Sequence, residues 1–375
     1  MTGQGGTAPR REKVRVLWLA KGLGRGGAEQ LLVNCARHAD RSRYEVEVAY
    51  VLPWKDALVP ALEAAGVRVH LLGPGRRWPL RLRALLTAGR YDLVHTHMPV
   101  PAAAARLLTL LTPGRRRPVL VHTEHNVWER YRRETRWANS LTYKRNRAVV
   151  AVSHAVAASI PAARRRAGEF VTVVHHGPDL GGAASGPAAR RAARAELGLP
   201  DDALVIGTVA NMTPKKDQAG LLAAFELLRR ERPEARLVLI GSGPLEERLR
   251  AAAGEGVVFA GSRADVPELL PAFDVFTLSS RQEGLPVSLM EAMTSGLPSV
   301  VTRVGGMPEV LDDGVEGFLV EPGDPAALAG AFGKLAADPG LRERQGAAAR
   351  RRSESFDVAG AQRAVERVYE QVLRS

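Results

Sequence analysis

The strongest constraint on this chain is a regular alternation of short β-branched runs with helical patterns. The runs occur in two series: Val14–Ala20, Val46–Leu52, Val67–Leu72, Asp92–His95, Val119–Thr123 and Ala148–Val152, then Ala203–Ala210, Arg236–Ile240, Val257–Ala260, Val275–Leu278 and Ser299–Thr302. Strands that alternate with helices form mainly parallel sheets covered by helices on both faces. The sequence therefore predicts an α/β protein with two facing Rossmann-like domains and a cleft between them.

A glycine- and proline-rich segment at residues 177–190 separates the two series and is the best linker candidate. We expect a disordered tail over residues 1–12, an N-terminal domain over 13–180 and a C-terminal domain over 181–355. A C-terminal helix over 356–375 is expected to pack back on the first domain. A chain of 375 residues is long enough for two cores of this size.

Positive charge is concentrated in the first half of the chain. Residues 1–180 hold 30 Lys and Arg against 13 Asp and Glu, a balance of +17, whereas residues 181–375 hold 23 against 27, a balance of −4. Arginine clusters lie at residues 76–83, 115–117, 130–136 and 164–166. This charge favours an anionic partner, and we expect a membrane surface rather than nucleic acid, although a solvated arginine-rich surface explains it equally well.

The cellular compartment is indicated by features that the sequence lacks. Cys35 is the single cysteine, so the chain cannot form an internal disulfide. No run approaches the ~20 apolar residues that span a bilayer, and the first residues lack the apolar core of a signal peptide. We expect a cytoplasmic protein, with peripheral attachment to the membrane as the alternative to a freely soluble one.

The segment Ser279–Pro298 carries the clearest chemical pattern. An apolar strand ends at Leu278, Pro286 occupies a first helical position, and Gly296 follows the expected helix end. The helix thus begins at the carboxyl edge of a parallel sheet, where free amides near Pro286–Leu289 attract phosphate oxygens. Glu283 and Glu291 flank this anion site, and each suits the hydroxyls of one extended ligand, one from a sugar and one from a ribose.

The two glutamates, with seven residues between them, resemble the signature of the retaining glycosyltransferases of family 4, whose fold is called GT-B. Further resemblance lies at Gly261–Leu270, Phe273–Ser280, Val304–Val310 and Gly317–Asp324, and it covers nearly the whole chain. It implies transfer of a hexose-type sugar from a nucleotide-diphosphate sugar, with UDP expected first and GDP-mannose second. The acceptor would be a hydroxyl of a saccharide, a lipid-linked molecule or a small molecule, and neither a cofactor nor a metal is expected.

The resemblance also assigns roles to residues of the second domain. Glu283 would bind the hydroxyls of the donor sugar and Glu291 those of the ribose. Leu289 would pack against the nucleoside, and Arg263 would lie near the base. The backbone around the sugar would be formed by Gly284, Leu285 and Pro286.

The diphosphate site departs from the family pattern. Family members usually place an arginine and a lysine, five residues apart, after the first strand of the second domain. Lys216 matches the lysine, but Asn211 stands where the arginine often is, and Thr213 where some members place it instead. Three explanations stay open. Lys215 and Lys216 together neutralise the diphosphate, an arginine from another part of the chain reaches it, or the diphosphate is bound weakly.

The first domain supplies two further sets of candidates. Gly26, Gly27 and Glu29 match the family's Gly-Gly-x-Glu loop, which faces the diphosphate and the acceptor. His125 matches the position of a histidine at the donor sugar, and with Glu283 and Lys216 it forms the expected catalytic set. His97 is expected on the acceptor side. The adjacent histidines suggest a metal, but no carboxylate or cysteine set completes a site.

The mechanism expected from the family is retention through a same-face route, because no carboxylate is a clear nucleophile. Three alternatives remain at this point. Gly22–Gly27 reads as G-x-G-x-x-G, which is typical of an NAD-dependent oxidoreductase, but the second strand lacks the expected acid before Asp56. A sugar-nucleotide epimerase or phosphorylase of related fold, and a basic binding module without catalysis, are the others.

Overall fold

The computed structural model describes residues 13–112, 117–164, 170–179 and 186–374. The tail predicted over residues 1–12 lies outside these ranges. So do parts of the predicted linker and of the basic clusters at 115–117 and 164–166.

The first sheet has seven parallel strands in the order β3-β2-β1-β4-β5-β6-β7. The strands are β1 (Val14–Ala20), β2 (Tyr44–Tyr50), β3 (Arg68–Leu71), β4 (Leu93–Thr96), β5 (Val119–Glu124), β6 (Ala148–Ala151) and β7 (Phe170–Val173). The order reverses between β1 and β4, which is the switch point where open α/β sheets bind ligands. The sequence did not predict β7.

The second sheet has six parallel strands in the order β10-β9-β8-β11-β12-β13. They are β8 (Val205–Val209), β9 (Arg236–Ile240), β10 (Val257–Gly261), β11 (Val275–Leu278), β12 (Ser299–Thr302) and β13 (Gly317–Val320). Its switch point lies between β8 and β11, so the loops that follow these two strands meet at one place. The two parallel sheets confirm the predicted fold class.

Helices cover both sheets. In the first half they are α1 (Gly27–His38), α2 (Val59–Ala64), α3 (Trp78–Gly89), α4 (Pro99–Leu108), α5 (Arg133–Thr142) and α6 (His154–Ser159). In the second half they are α7 (Pro187–Glu196), α8 (Gln218–Arg229), α9 (Glu246–Ala252), α10 (Val266–Leu269), α11 (Val287–Thr294), α12 (Met307–Val310), α13 (Pro325–Ala337), α14 (Pro339–Ser353) and α15 (Val358–Arg374). Throughout the described ranges, no helix is both long and apolar enough to cross a bilayer.

The last two helices pack on different domains. Helix α14 contacts α11 of the second domain, whereas α15 buries its apolar face in the core of the first. Tyr369 of α15 accepts a hydrogen bond from Trp18 Nε1 at 3.1 Å, and its hydroxyl lies 2.6 Å from His95 Nδ1. Between the helices, the carbonyl of Phe356 abuts Gly177, where a Cβ atom would come within 1.2 Å of the oxygen. The chain crosses back beside the linker, and glycine is required there.

Candidate functional site

The candidate site lies where loops from the carboxyl edges of the two sheets face each other. The second domain contributes the loop after β8 and the loop between β11 and α11. The first domain contributes the loop between β1 and α1 and the segment after β5. Parallel strands place all these loops at one edge of each sheet, so residues distant in sequence meet in the cleft.

Glu283 and Lys216 form an ion pair at the center of this edge. Lys216 Nζ donates to Glu283 Oε1 at 2.5 Å, and Ser280 Oγ donates to the same oxygen at 2.6 Å. Both charged side chains are largely buried, with 15% and 8% of their surfaces exposed. The pair joins the loop after β8 to the loop before α11.

Gly284 lies directly against the segment after β5. A Cβ atom at this position would come within 1.9 Å of the carbonyl oxygen of His125, so only glycine allows the two domains to approach this closely. Behind it, Gly306 N donates to Gly284 O at 3.0 Å. Gly305 has φ +53° and leaves no space for a side chain against the carbonyl of Glu283. Gly305 and Gly306 thus position Glu283 and Gly284, a role the sequence pattern had not assigned.

Helix α11 begins just after Pro286, which does not occupy the first helical position predicted for it. Pro286 is its N-cap residue, with φ −84° and ψ 82°, and Val287 is the first helical residue. The amide of Val287 donates to the carbonyl of Leu285, and the amide of Leu289 donates to that of Pro286. The sequence predicted free amides here, and for these two residues the prediction was wrong. At the other end, Gly296 follows the helix with φ +73°, as predicted. Leu285 remains half-buried and Pro286 is buried.

Leu289 and Arg263, the two residues predicted to contact the nucleoside, both interact with other parts of the protein. Leu289 has no exposed surface and belongs to the core of the second domain, so the present packing gives it no face toward a ligand. Arg263 pairs with Asp265 at 2.6 Å and with Glu196 at 2.9 Å. These hydrogen bonds raise the pKa of Arg263 further and hold its guanidinium on its own domain. Contact between Arg263 and a base remains a prediction.

Glu291 lies inside α11 and is half-buried. Burial raises the pKa of its carboxyl from 4.5 to about 7. Hydrogen-bond donors brought to this carboxyl would favour its ionised form and lower its pKa again, and contact between Glu291 and a ribose remains a prediction.

The loop after β8 presents Asn211 and Lys215 to solvent. The carbonyl of Asn211 accepts from Gln218 Nε2 at 3.1 Å, which fixes the loop and not the side chain. Partial desolvation lowers the pKa of Lys215, and the neighbouring Lys216 ammonium lowers it further. This loop therefore offers two ammonium groups to an anion and no arginine.

The glycine loop of the first domain faces α11. A Cβ atom on Gly27 would come within 3.6 Å of Val287 Cγ2, a contact across the cleft. Glu29 folds its carboxylate back over Gly26, where a Cβ atom would come within 2.4 Å of Oε2. Burial raises the pKa of Glu29, against the lowering effect of Lys55 and Lys215.

His97 and His125 meet beneath the cleft. His97 Nδ1 lies 3.4 Å from His125 Nε2, and the His97 ring lies against the His95 ring at a tilt of 37°, with 4.2 Å between ring centroids. Burial, with the adjacent His176 and His122, lowers the pKa of His125 to about 3, so the ring is neutral at physiological pH. His97 Nε2 is buried and has no hydrogen-bond partner among the described residues. His125 stays half-buried at the cleft, while His97 lies deeper.

A second contact between the domains involves Glu309 of α12. Its carboxylate accepts from the amides of His154 at 2.7 Å and Ala155 at 2.9 Å, and it lies 2.8 Å from His175 Nε2. Among the described residues, His154, His175 and Glu309 are the group whose possible metal ligands converge, within 4.8 Å of one another. Two amides and a histidine already hold the carboxylate of Glu309, so a contact between the domains accounts for this cluster without a metal. That the protein needs no metal stays a prediction.

Sequence reasoning overlooked Glu309, Lys55 and the glycine pair at 305–306. Glu309 lies in a segment that had been matched to the family without a role. His175 lies two residues before the predicted linker, and its contact with Glu309 links that segment to the second domain. The missed residues act through contacts between chain segments, which local patterns do not encode.

Comparisons with known proteins agree with this architecture. Residues 203–338 match the family described as glycosyl transferases group 1, and residues 25–181 match glycosyltransferase family 4. The D-inositol 3-phosphate glycosyltransferase of Streptomyces scabiei is 31% identical over 88% of this chain and 83% of its own length. The GDP-mannose-dependent alpha-(1-6)-phosphatidylinositol monomannoside mannosyltransferase of Mycolicibacterium smegmatis is 36% identical over 46% of this chain and 49% of its own.

A crystal structure of Anabaena HepE in complex with UDP and glucose has the same fold. It superposes with a TM-score of 0.84 at 24% identity, over 95% of this chain and 99% of that one. These findings do not favour an NAD-dependent oxidoreductase. Together with the relative that is similar over most of both chains, they establish that this chain belongs to the family 4 glycosyltransferases of the GT-B fold.

Proposed function

We propose that this glycosyltransferase takes a hexose from a nucleotide-diphosphate sugar bound in the cleft and transfers it with retention of anomeric configuration. The observation that carries the proposal is the buried ion pair of Lys216 and Glu283, in the loops beside the start of α11 and next to Gly284, which lies against the carbonyl of His125 of the other domain. A bound donor would divide this pair. Its phosphates attract the ammonium, and its sugar hydroxyls donate to the carboxylate.

The charges in the cleft support a retaining same-face route. With the donor bound, Glu283 accepts hydrogen bonds from the sugar hydroxyls and from Ser280 Oγ, which makes it a poor nucleophile toward an anomeric carbon. The neutral His125 ring suits hydrogen bonding to the sugar rather than charge stabilisation. In this route the leaving diphosphate accepts the proton of the acceptor, while Lys216 stabilises its developing charge. The close approach of the domains limits hydrolysis by excluding water.

UDP is the nucleotide we propose first. HepE, which shares the fold, is known in complex with UDP and glucose, whereas a relative similar over about half of this chain is named as GDP-mannose-dependent. The acceptor is a hydroxyl on a saccharide, a lipid-linked molecule or a small molecule.

A lipid-linked acceptor is favoured by one face of the first domain. On α5, Trp137 and Leu141 expose 68% and 61% of their surfaces, and exposed Leu107 and Leu111 lie on or just after the adjacent α4. Exposed basic residues at 132, 133, 144 and 145 flank the two α5 residues along the chain. Exposed aromatic and aliphatic groups with arginine and lysine nearby in the sequence suit the interface of an anionic bilayer.

Purified protein incubated with a panel of UDP- and GDP-sugars tests the donor. We expect one nucleotide sugar to be consumed slowly by hydrolysis without acceptor and faster by transfer when an acceptor is added, and NMR of the transfer product to show retention. Glu283→Gln should lose this activity while the exposed Glu247→Gln keeps it. An inverted product would contradict the retaining route, and the absence of turnover with every nucleotide sugar would contradict the proposed function.

Flotation with liposomes tests the membrane face. We expect binding to phosphatidylglycerol vesicles at low salt and none to phosphatidylcholine alone. The double variant W137E/L141E should lose binding, whereas Trp54→Glu, which alters an equally exposed tryptophan elsewhere, should keep it. Equal binding of the double variant would exclude this face.

A further inference from the structure

The second domain alone provides limited positive charge for a diphosphate. Asn211 replaces the arginine of the family pattern, and Lys216 is already paired with Glu283. Lys215 carries the remaining ammonium of this loop. A donor diphosphate bears about two negative charges that must be compensated away from bulk water.

A lysine of the first domain is held against the glycine loop. The loop between β2 and α2 is joined to it by two backbone hydrogen bonds, from Leu23 N to Lys55 O at 2.6 Å and from Leu58 N to Leu23 O at 2.9 Å. The Lys55 side chain runs over Gly22, where a Cβ atom would come within 2.8 Å of Lys55 Cβ. Leu23 is fully buried, so this arrangement is anchored in the core of the first domain.

The same glycine loop reaches the second domain. Gly27, at its end, lies against Val287, the first residue of α11. Lys55 therefore rests on a loop that is in contact with the helix where we place the phosphates. Its ammonium also affects both sides of the cleft, since it opposes the burial that raises the pKa of Glu29 and adds to the desolvation that lowers the pKa of Lys215.

We propose that Lys55 supplies a further cation, beside Lys215 and Lys216, for the diphosphate of the donor from across the cleft, in place of the arginine absent at position 211. This inference rests on the proposed function and names a further residue of that site. It has a structural consequence. A phosphate held by Lys216 of one domain and Lys55 of the other joins the two domains, so the diphosphate itself stabilises the closed state.

Titration calorimetry with UDP and with uridine tests this role, because the two ligands differ in the diphosphate. Lys55→Met should weaken UDP binding about tenfold, the loss of one charge-assisted contact, and leave uridine binding unchanged. Lys13→Met, an exposed lysine at the amino end of β1, is the matched control and should bind both ligands as the wild type does. Circular dichroism establishes that each variant is folded.

A rescue variant keeps the test independent of any general damage. In the Lys55→Met background, Asn211→Arg restores the cation of the family pattern and should recover most of the lost UDP affinity. Wild-type UDP affinity in Lys55→Met, or an equal loss of uridine affinity, would overturn the inference while the proposed function stands. If the wild-type chain binds neither UDP nor GDP, the proposed function is overturned, and this inference with it.

Discussion

Lys216 Nζ lies 2.5 Å from Glu283 Oε1, and the two residues belong to loops that follow neighbouring strands of the second sheet. The contact joins the group proposed to hold the donor phosphates to the group proposed to hold the sugar. Each neutralises the other while the cleft is empty, which avoids an isolated buried charge. When the donor binds, its phosphates replace Glu283 as the partner of Lys216, and its sugar hydroxyls replace Lys216 as the partner of Glu283.

Replacing Glu283 by glutamine should therefore affect catalysis more than folding. The amide keeps the shape and can still accept a hydrogen bond, but it binds sugar hydroxyls less strongly and leaves Lys216 without its counter-ion. We expect the rate of transfer to fall about 10²-fold or more, the scale of one lost electrostatic contact in a transition state. Initial rates under saturating donor measure this effect. A rate within threefold of the wild type would contradict the role of Glu283.

Gly284→Ala should prevent the domains from closing. The added methyl group would overlap the carbonyl of His125, so the cleft must open or the loop must shift. We expect a higher KM for the donor and a larger radius of gyration in small-angle scattering with UDP present. Gly330→Ala in α13, where the methyl group meets open space, should be neutral or stabilise by about 0.5–1 kcal/mol. Identical behaviour of the two variants would contradict the steric argument.

Glu291 should give the protein a distinctive dependence on pH. Burial raises the pKa of its carboxyl from 4.5 to about 7, so the stability it contributes is full below pH 4.5 and is lost as the pH rises through about 7. Above pH 7, Glu291→Gln should be more stable than the wild type by about 1–3 kcal/mol, allowing for partial exposure.

Urea unfolding at pH 5 and pH 8 measures this difference. UDP affinity of the wild type should rise over the same range, because ribose hydroxyls donate best to the ionised carboxylate. An equal difference between the two proteins at both pH values would show that Glu291 titrates normally.

Glu309 should hold the domains together. Although burial alone would raise its pKa, hydrogen bonds from His175 and the amides of Ala155 and His154 hold the pKa below its usual value. This stabilisation is present above pH 4.5 and is lost as the pH falls through the lowered pKa. Glu309→Ala should cost about 1–2 kcal/mol in the free energy of unfolding, the scale of a lost helix cap. The exposed Glu234→Ala provides the control, and equal unfolding curves for both would exclude the interdomain role.

The sequence predicted the architecture well because strand and helix periods are local. Ala148–Ala151 and Val275–Leu278 form strands close to their predicted limits. Glu283 and Lys216 were each recognised from their own motif. The hydrogen bond between them could not be predicted from the sequence, because it depends on how the loops after β8 and β11 meet.

Predictions about side-chain environment were less successful. Leu289 was assigned to the nucleoside from its place in the motif, but on α11 it points into the core. Helix periodicity alone does not distinguish a core face from a face toward the cleft when both are apolar. The C-terminal helix was predicted to pack on the first domain, whereas its anchor, the hydrogen bond from Trp18 to Tyr369, needed the structure.

A crystal structure with the nucleotide sugar that most raises the melting temperature tests the central claim most directly. The account predicts the diphosphate beside the start of α11 and within hydrogen-bond distance of Lys216. The hydroxyls of the hexose should contact Glu283, and those of the ribose should contact Glu291. A ligand bound elsewhere, with the ion pair of Lys216 and Glu283 intact, would contradict it.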